Sequence, residues 1–289
     1  MRFLILWLSR RPLWLLHALG APLGWLVWWA SPSYRRQFKS NVQQAGLAPE
    51  AWRPAIAEAG RGLIELPFLW LRPPGAPITP AVTWAGAELI DAARAQGRGI
   101  VLLTPHLGCF EVTAQAIAER FGPQGMPITV MFRPARKPWL REIVAGSRSR
   151  PSLAAAPATL AGVRQMLRAL RRGEAVGLLP DQVPPEGMGV WAPFFGRPAY
   201  TITLAARLIQ QTGAAPLLIW GERLDQGRGY RIHVSAFDEA LPPGEAAQAE
   251  CAALINRAME RLILQRPSQY LWGYQRYKAP RRPEAAEQA

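Results

Sequence analysis

The chain reads as an α/β protein with a mixed, largely parallel central sheet flanked by helices and with an N-terminal membrane-anchoring helix. Three observations predict this. Short, almost continuous apolar runs at residues 99–104, 127–132 and 175–180 suit strands buried on both faces of a sheet. Stretches with helical spacing lie between strands, most clearly at residues 159–172, where apolar side chains fall at 160, 163, 166, 167 and 170. Alternation of this kind is the pattern of a sheet built with crossover helices. Third, residues 12–30 carry no formally charged side chain.

As a helix that N-terminal stretch would be about 28 Å long, close to the hydrocarbon thickness of a bilayer. Trp7, Trp14, Trp25, Trp28 and Trp29 crowd into or beside it, as an interfacial belt would require. Both flanks are basic, with Arg2, Arg10 and Arg11 before and Arg35, Arg36 and Lys39 after. The positive-inside rule therefore gives no single orientation, and a monotopic anchor on anionic lipid accounts for both flanks, with a spanning helix left open. A cleaved signal peptide fits worse, because the run is too long and lacks a convincing small-residue site. Residues 1–31 read as the anchor, 32–278 as one folded domain and 279–289 as a disordered tail.

Within the domain, residues 34–46 form a basic helix and 50–71 another, with a possible break at Pro67; residues 73–80 are a proline-rich connector and 84–96 a further helix. The strand at 99–104 stops at Pro105 and gives way to a helix at 110–119. A second strand at 127–132 ends at Arg133, and a short helix then leads to Arg148 and Arg150. The helix at 159–172 ends at Gly173, and the strand at 175–180 carries Asp181 at its carboxyl end. Residues 182–200, rich in proline and glycine, are long enough for a lid or binding wall. A helix at 201–212, strands at 215–220 and 230–237, and a long helix at 245–265 complete the order.

The formal net charge of +14 favours an anionic partner, whether nucleic acid, acidic lipid or an acidic carrier protein. Of 34 basic residues only Lys39, Lys137 and Lys278 are lysine, a bias that a GC-rich coding sequence also produces. The arginines are scattered through helices and no recognised module appears, which argues against nucleic acid. Two cysteines, Cys109 and Cys251, make no disulfide framework and point to a reducing compartment. No Cys-x-x-Cys or His-Glu-x-x-His spacing suggests zinc, and no metal or other cofactor is expected.

Chemistry concentrates at the first strand-to-helix junction, GIVLLTPHLGCFE. The carboxyl ends of strands are where open α/β sheets bind ligands. His106 stands there, and Glu111 lies five residues on. In one continuous helix that offset is about 140°, but a His still in the turn is free of helical register, and Gly108 lets the turn fold back. A His held by a carboxylate is a general base. The remaining histidines are poorly placed, His17 in the apolar N-terminus and His233 in an alternating strand. His106, Arg133 and Asp181 all follow directly on apolar strands. A thiol hydrolase with Cys109 as nucleophile and His106 as base competes, against the plainer reading of a small buried residue. No Gly-x-Ser-x-Gly elbow supports a serine hydrolase.

His-x-x-x-x-Glu after a buried strand resembles the His-x-x-x-x-Asp/Glu block of the lysophospholipid acyltransferase superfamily, and the Glu form resembles its lipid A biosynthesis late (lauroyl/myristoyl) acyltransferase branch. The resemblance runs along the chain through FRPARKPWL, Arg148, LLPDQ, FFGRPAYT and SQYLWGYQRYK, in that order. The loop QVPPEGMGVW after Asp181 departs from the pattern. What the resemblance implies is an acyltransferase domain at 32–278 that moves a fatty acyl chain from an acyl carrier protein thioester to a hydroxyl of a lipid A precursor, at the cytoplasmic face of a bacterial inner membrane. It further implies that His106 deprotonates the hydroxyl and Glu111 orients His106. Arg148, with Arg133, would hold a phosphate, and Asp181 would orient an arginine or the acceptor, or cap a turn. A lysophospholipid or another glycolipid as acceptor, and coenzyme A as carrier, stay open.

Overall fold

The computed structural model describes residues 2–80, 82–132 and 150–281. Among them a seven-stranded sheet runs in the order β1 (Thr83–Ala85), β9 (Tyr230–Ala236), β8 (Ala215–Arg223), β2 (Ile100–Leu103), β5 (Ala175–Leu178), β3 (Ile128–Phe132), β4 (Leu153–Pro157). Every neighbouring pair is parallel except β8 with β9. The expected mixed, largely parallel α/β sheet is the observed one.

β2 lies at the centre, and all four of its residues are buried. Its side chains alternate, as the period of a strand requires. Val101 and Leu103 join a core with Met166 and Leu170 of α8 (Leu160–Arg171) and with Ile255 and Met259 of α10 (Gln248–Gln265). Ile100 and Leu102 join the opposite core with Ile90 of α6 (Glu88–Ala95) and with Val112 and Ile117 of α7 (Phe110–Phe121). Helices on both faces explain why the strand sequence is apolar throughout. α9 (Leu204–Thr212) adds Ala205 and Leu208 to the first core.

The N-terminal helices, α1 (Arg2–Ser9), α2 (Leu13–Ala30) and α3 (Pro32–Gln44), are followed by α4 (Pro49–Trp52) and α5 (Pro54–Trp70). On α2 the buried residues Leu13, Leu16, His17, Gly20, Gly24 and Trp28 follow helical spacing and form one stripe. That stripe packs on α5 so closely that a Cβ on Gly24 would collide with the Ile56 carbonyl oxygen, and one on Gly60 with that of Gly20. On the other side of α2, Trp14, Leu26 and Trp29 are exposed. Phe3, Trp14, Leu26, Trp29 and Leu63 are 57–82% exposed, which makes an apolar face across α1, α2 and α5.

Several elements differ from expectation. The helix expected at 84–96 begins only at Glu88, and Trp84 is in β1. Between them Gly86 sits at φ +79°, against the Val234 carbonyl oxygen with no room for a side chain, and breaks the helix. Pro67 does not interrupt α5, which continues through it to Trp70. β4 is an additional strand whose Leu-Ala-Ala-Ala-Pro sequence has no strand propensity of its own, and its pairing with β3 supplies the conformation. The expected lid at 182–200 contains a hairpin, β6 (Gly189–Phe194) and β7 (Arg197–Ile202), closed by Phe195 and Gly196 at φ +46° and +73°. Asn256 and Glu260 of α10 hydrogen-bond its backbone, at Pro193 and Phe195. Most of the expected short helix after Arg133, and residues 282–289 of the tail, lie outside the described residues.

Candidate active site

The register of two adjacent strands builds the site. β2 and β5 run parallel with Leu103 opposite Leu178. Three residues further along each chain stand His106 and Asp181. The Asp181 Oδ1 lies 2.7 Å from His106 Nδ1, and its Oδ2 accepts the backbone N–H of His106 at 2.9 Å and the Tyr270 hydroxyl at 3.2 Å. An ionised carboxylate only accepts, so Nδ1 carries a ring proton, and in the neutral imidazole Nε2 presents a lone pair. At 3.0 Å from Nε2 stands the Gln182 side-chain nitrogen.

Electrostatics keep the carboxylate charged. Burial alone would raise the pKa of Asp181, but the His106 ring, the hydrogen bonds from His106 and the Arg276 guanidinium together hold it below the usual carboxylate range. Burial, and next the Asp181 charge, push the Tyr270 phenol well above its usual value, so Tyr270 remains a donor. This is the geometry of an imidazole fixed in one tautomer by a buried carboxylate, with its other nitrogen met by the Gln182 amide.

The turn that carries His106 is clamped. Leu271 N–H donates to the His106 carbonyl at 3.1 Å, Gly108 N–H to Gln269 O at 2.9 Å, and Cys109 N–H to Gly221 O at 2.8 Å. Gly108 sits at φ +59°, and a Cβ there would collide with the Gly221 carbonyl oxygen. Glycine is therefore required. The C-terminal SQYLWGYQRYK segment thus supplies both the backbone that pairs with the turn and the Tyr270 hydroxyl.

Two cavities meet at His106. One, of about 360 Å³, is walled by Leu23 and Val27 of α2 and Leu63 and Leu66 of α5. The other, of about 320 Å³, runs between α7 and the sheet past Thr113, Ile117, Val130 and Leu178. His106, Phe110 and Glu111 line both. The Phe110 ring meets the imidazole edge-on, with centroids 4.7 Å apart.

Beneath the first cavity is a buried ion cluster. Arg223, at the end of β8, is held by both carboxylate oxygens of Glu65 at 2.7–3.0 Å and by Glu58 at 2.7 Å, and it donates to the Gly108 carbonyl at 3.1 Å. Glu65 also meets His17 Nε2 at 3.0 Å and accepts from the Tyr230 hydroxyl at 3.1 Å. Burial would raise the Glu65 pKa, yet Arg223 and His17 bring it down to about 2. Cys109 lies alongside, and burial followed by the Glu65 charge pushes its thiol well up. That is the reverse of an activated thiol nucleophile.

Of the residues picked out in the sequence, His106 and Asp181 are thus in direct contact, and Glu111 lines the same cavities as His106. Arg133 and Arg148 lie outside the described residues. Sequence reasoning misses the roles of Tyr270, Gln182 and the Glu65–Arg223 pair. A carboxylate inside the apolar GLIELPFLW and a histidine inside an uncharged apolar helix are the available signals, since buried charges need partners.

The chain matches the family model described as bacterial lipid A biosynthesis acyltransferase over residues 4–279. It is similar to the lipid A biosynthesis lauroyltransferase of Escherichia coli, with 30% identity over 226 residues that cover 78% of this chain and 70% of the relative. The palmitoleoyltransferase of the same organism is 26% identical over 76% of this chain and 68% of its own length, and the myristoyltransferase 25% over 77% and 68%.

Proposed function

Because the chain belongs to the bacterial lipid A biosynthesis acyltransferase family and is an acyltransferase for a lipid A-type acceptor, we propose that it moves a fatty acyl chain from an acyl carrier protein thioester to a hydroxyl of a lipid A precursor, with His106 as general base. The observation that carries this reading is the His106 ring, bonded through Nδ1 to buried Asp181 and lining both cavities.

The hydroxyl proton passes to Nε2 as the oxygen attacks the thioester carbonyl. Collapse of the tetrahedral intermediate breaks the carbon–sulfur bond, and the leaving thiolate takes the proton back from the imidazolium. Asp181 holds the tautomer and, with Glu111 on the cavity wall, favours the imidazolium by its negative charge. The apolar walls of the cavities suit acyl chains. Arg133 and Arg148 would engage phosphate through the guanidinium fork. The exposed face of α1, α2 and Leu63 would lie in the bilayer interface, with residues 1–31 as anchor and the 32–278 domain at the cytoplasmic side of the inner membrane.

Membranes containing the protein, incubated with acyl carrier protein thioesters of several chain lengths and a tetra-acylated lipid A precursor, test the reading by mass spectrometry. A product heavier by one acyl group is expected. No acylated product with any thioester would contradict it.

A further inference from the structure

The Gln182 amide already occupies the position on His106 Nε2 that an acceptor hydroxyl must take. With Nδ1–H committed to Asp181, Nε2 of the neutral imidazole accepts, and Gln182 donates to it at 3.0 Å. The neighbours of Gln182 are both held, Asp181 through its side-chain carboxylate and Val183 through its N–H, which donates to the Tyr274 hydroxyl at 2.9 Å. Gln182 also lines the cavity that runs along α7.

We infer that Gln182 guards the general base against water, so that a bound thioester is passed to the lipid acceptor and not hydrolysed. The inference rests on the acyl-transfer reading. Water at Nε2 would lose its proton to His106, its oxygen would bond to the thioester carbonyl, and the carbon–sulfur bond would break with the thiolate recovering the proton; the products are a free fatty acid and a thiol. An amide N–H satisfies the same lone pair without giving up a proton at neutral pH. A lipid acceptor displaces the amide because contacts elsewhere in the cavities hold its hydroxyl at high effective concentration. Water has no such contacts, so it must compete with Gln182 directly. Gln182 thereby acts through His106, as a positioning residue that sets the partition between transfer and hydrolysis.

The test compares wild type with Gln182→Met, which keeps the length of the side chain and removes the donor, and with Gln182→Ala. Dodecanoyl acyl carrier protein is supplied with and without a tetra-acylated lipid A precursor; free thiol and acylated lipid are measured separately. Without acceptor, thiol release should rise about 3- to 10-fold in Gln182→Met, the span of one hydrogen bond, and the transfer-to-hydrolysis ratio should fall to match. Adding His106→Ala should remove the extra hydrolysis, because it acts through the same base. Wild-type transfer with an unchanged ratio in both variants would overturn the inference while leaving the acyl-transfer reading intact, as would a fall in both rates together in a Gln182→Met protein that melts like wild type. No acylated lipid from wild type would overturn that reading, and the inference with it.

Discussion

Asp181 meets His106 with both of its carboxylate oxygens, one on the ring Nδ1 at 2.7 Å and the other on the backbone N–H at 2.9 Å. The second bond ties the orientation of the ring to the strand-end backbone, so the imidazole cannot turn without loss of a buried hydrogen bond. Asn in place of Asp would keep the shape and lose the charge. Its amide would also stabilise the wrong tautomer by donating to Nδ1. Asp181→Asn should therefore lower kcat by about 10²- to 10⁴-fold with KM for the acceptor little changed, measured by acyl transfer in detergent.

Glu111 shares both cavities with His106. If its charge favours the imidazolium, Glu111→Gln should lower kcat about 10- to 100-fold, ~1.4–2.7 kcal/mol of transition-state stabilisation. Its loss should not simply add to that of Asp181→Asn, since both act on one imidazole. Strictly additive losses would separate Glu111 from the base.

Much of this site is legible in the chain. His106 and Asp181 each end an apolar strand, and that places both at the carboxyl edge of the sheet. Their contact depends on β2 and β5 being neighbours in register, which is a property of the assembled sheet and not of either strand. Tyr270 reaches Asp181 from 89 residues away in sequence, a separation no local pattern records. β4 is hidden for a different reason: Ala-Ala-Ala favours a helix, and the partner strand overrides it. The hairpin at 189–202 is obscured by Pro193 and Pro198, which are tolerated because the two-stranded ribbon has open edges on both sides.

The buried Glu65 carboxylate predicts an acid-sensitive fold. Its pKa is about 2 in the folded chain against an ordinary 4.5, so the charged form is favoured by folding. The stabilisation is complete above about pH 4.5 and is lost as the pH falls toward 2. Thermal melts of the detergent-solubilised protein should show Tm falling across that window. Glu65→Ala should cost about 3–5 kcal/mol by leaving Arg223 buried without its main partner and should flatten this part of the pH dependence; a wild-type-like melt in this variant would contradict the ion cluster.

The exposed apolar face predicts membrane binding through specific side chains. Trp14 and Trp29 are 58% and 66% exposed, and burial of a large apolar side chain contributes about 1.5–3 kcal/mol. Trp14→Glu with Trp29→Glu should weaken flotation with anionic vesicles by more than about tenfold while leaving the folded domain intact. Flotation equal to wild type would show that this face is not the one in contact with lipid.

The most direct measurement is the initial rate of acyl transfer by His106→Ala, in protein that melts at the wild-type temperature and binds membranes to the wild-type extent. Removal of the base should lower the rate by about 10²- to 10⁴-fold, and the pH dependence of the residual rate should be flat where that of wild type is not. A rate within a few-fold of wild type, with the same pH dependence, would contradict the assignment of His106 as the base.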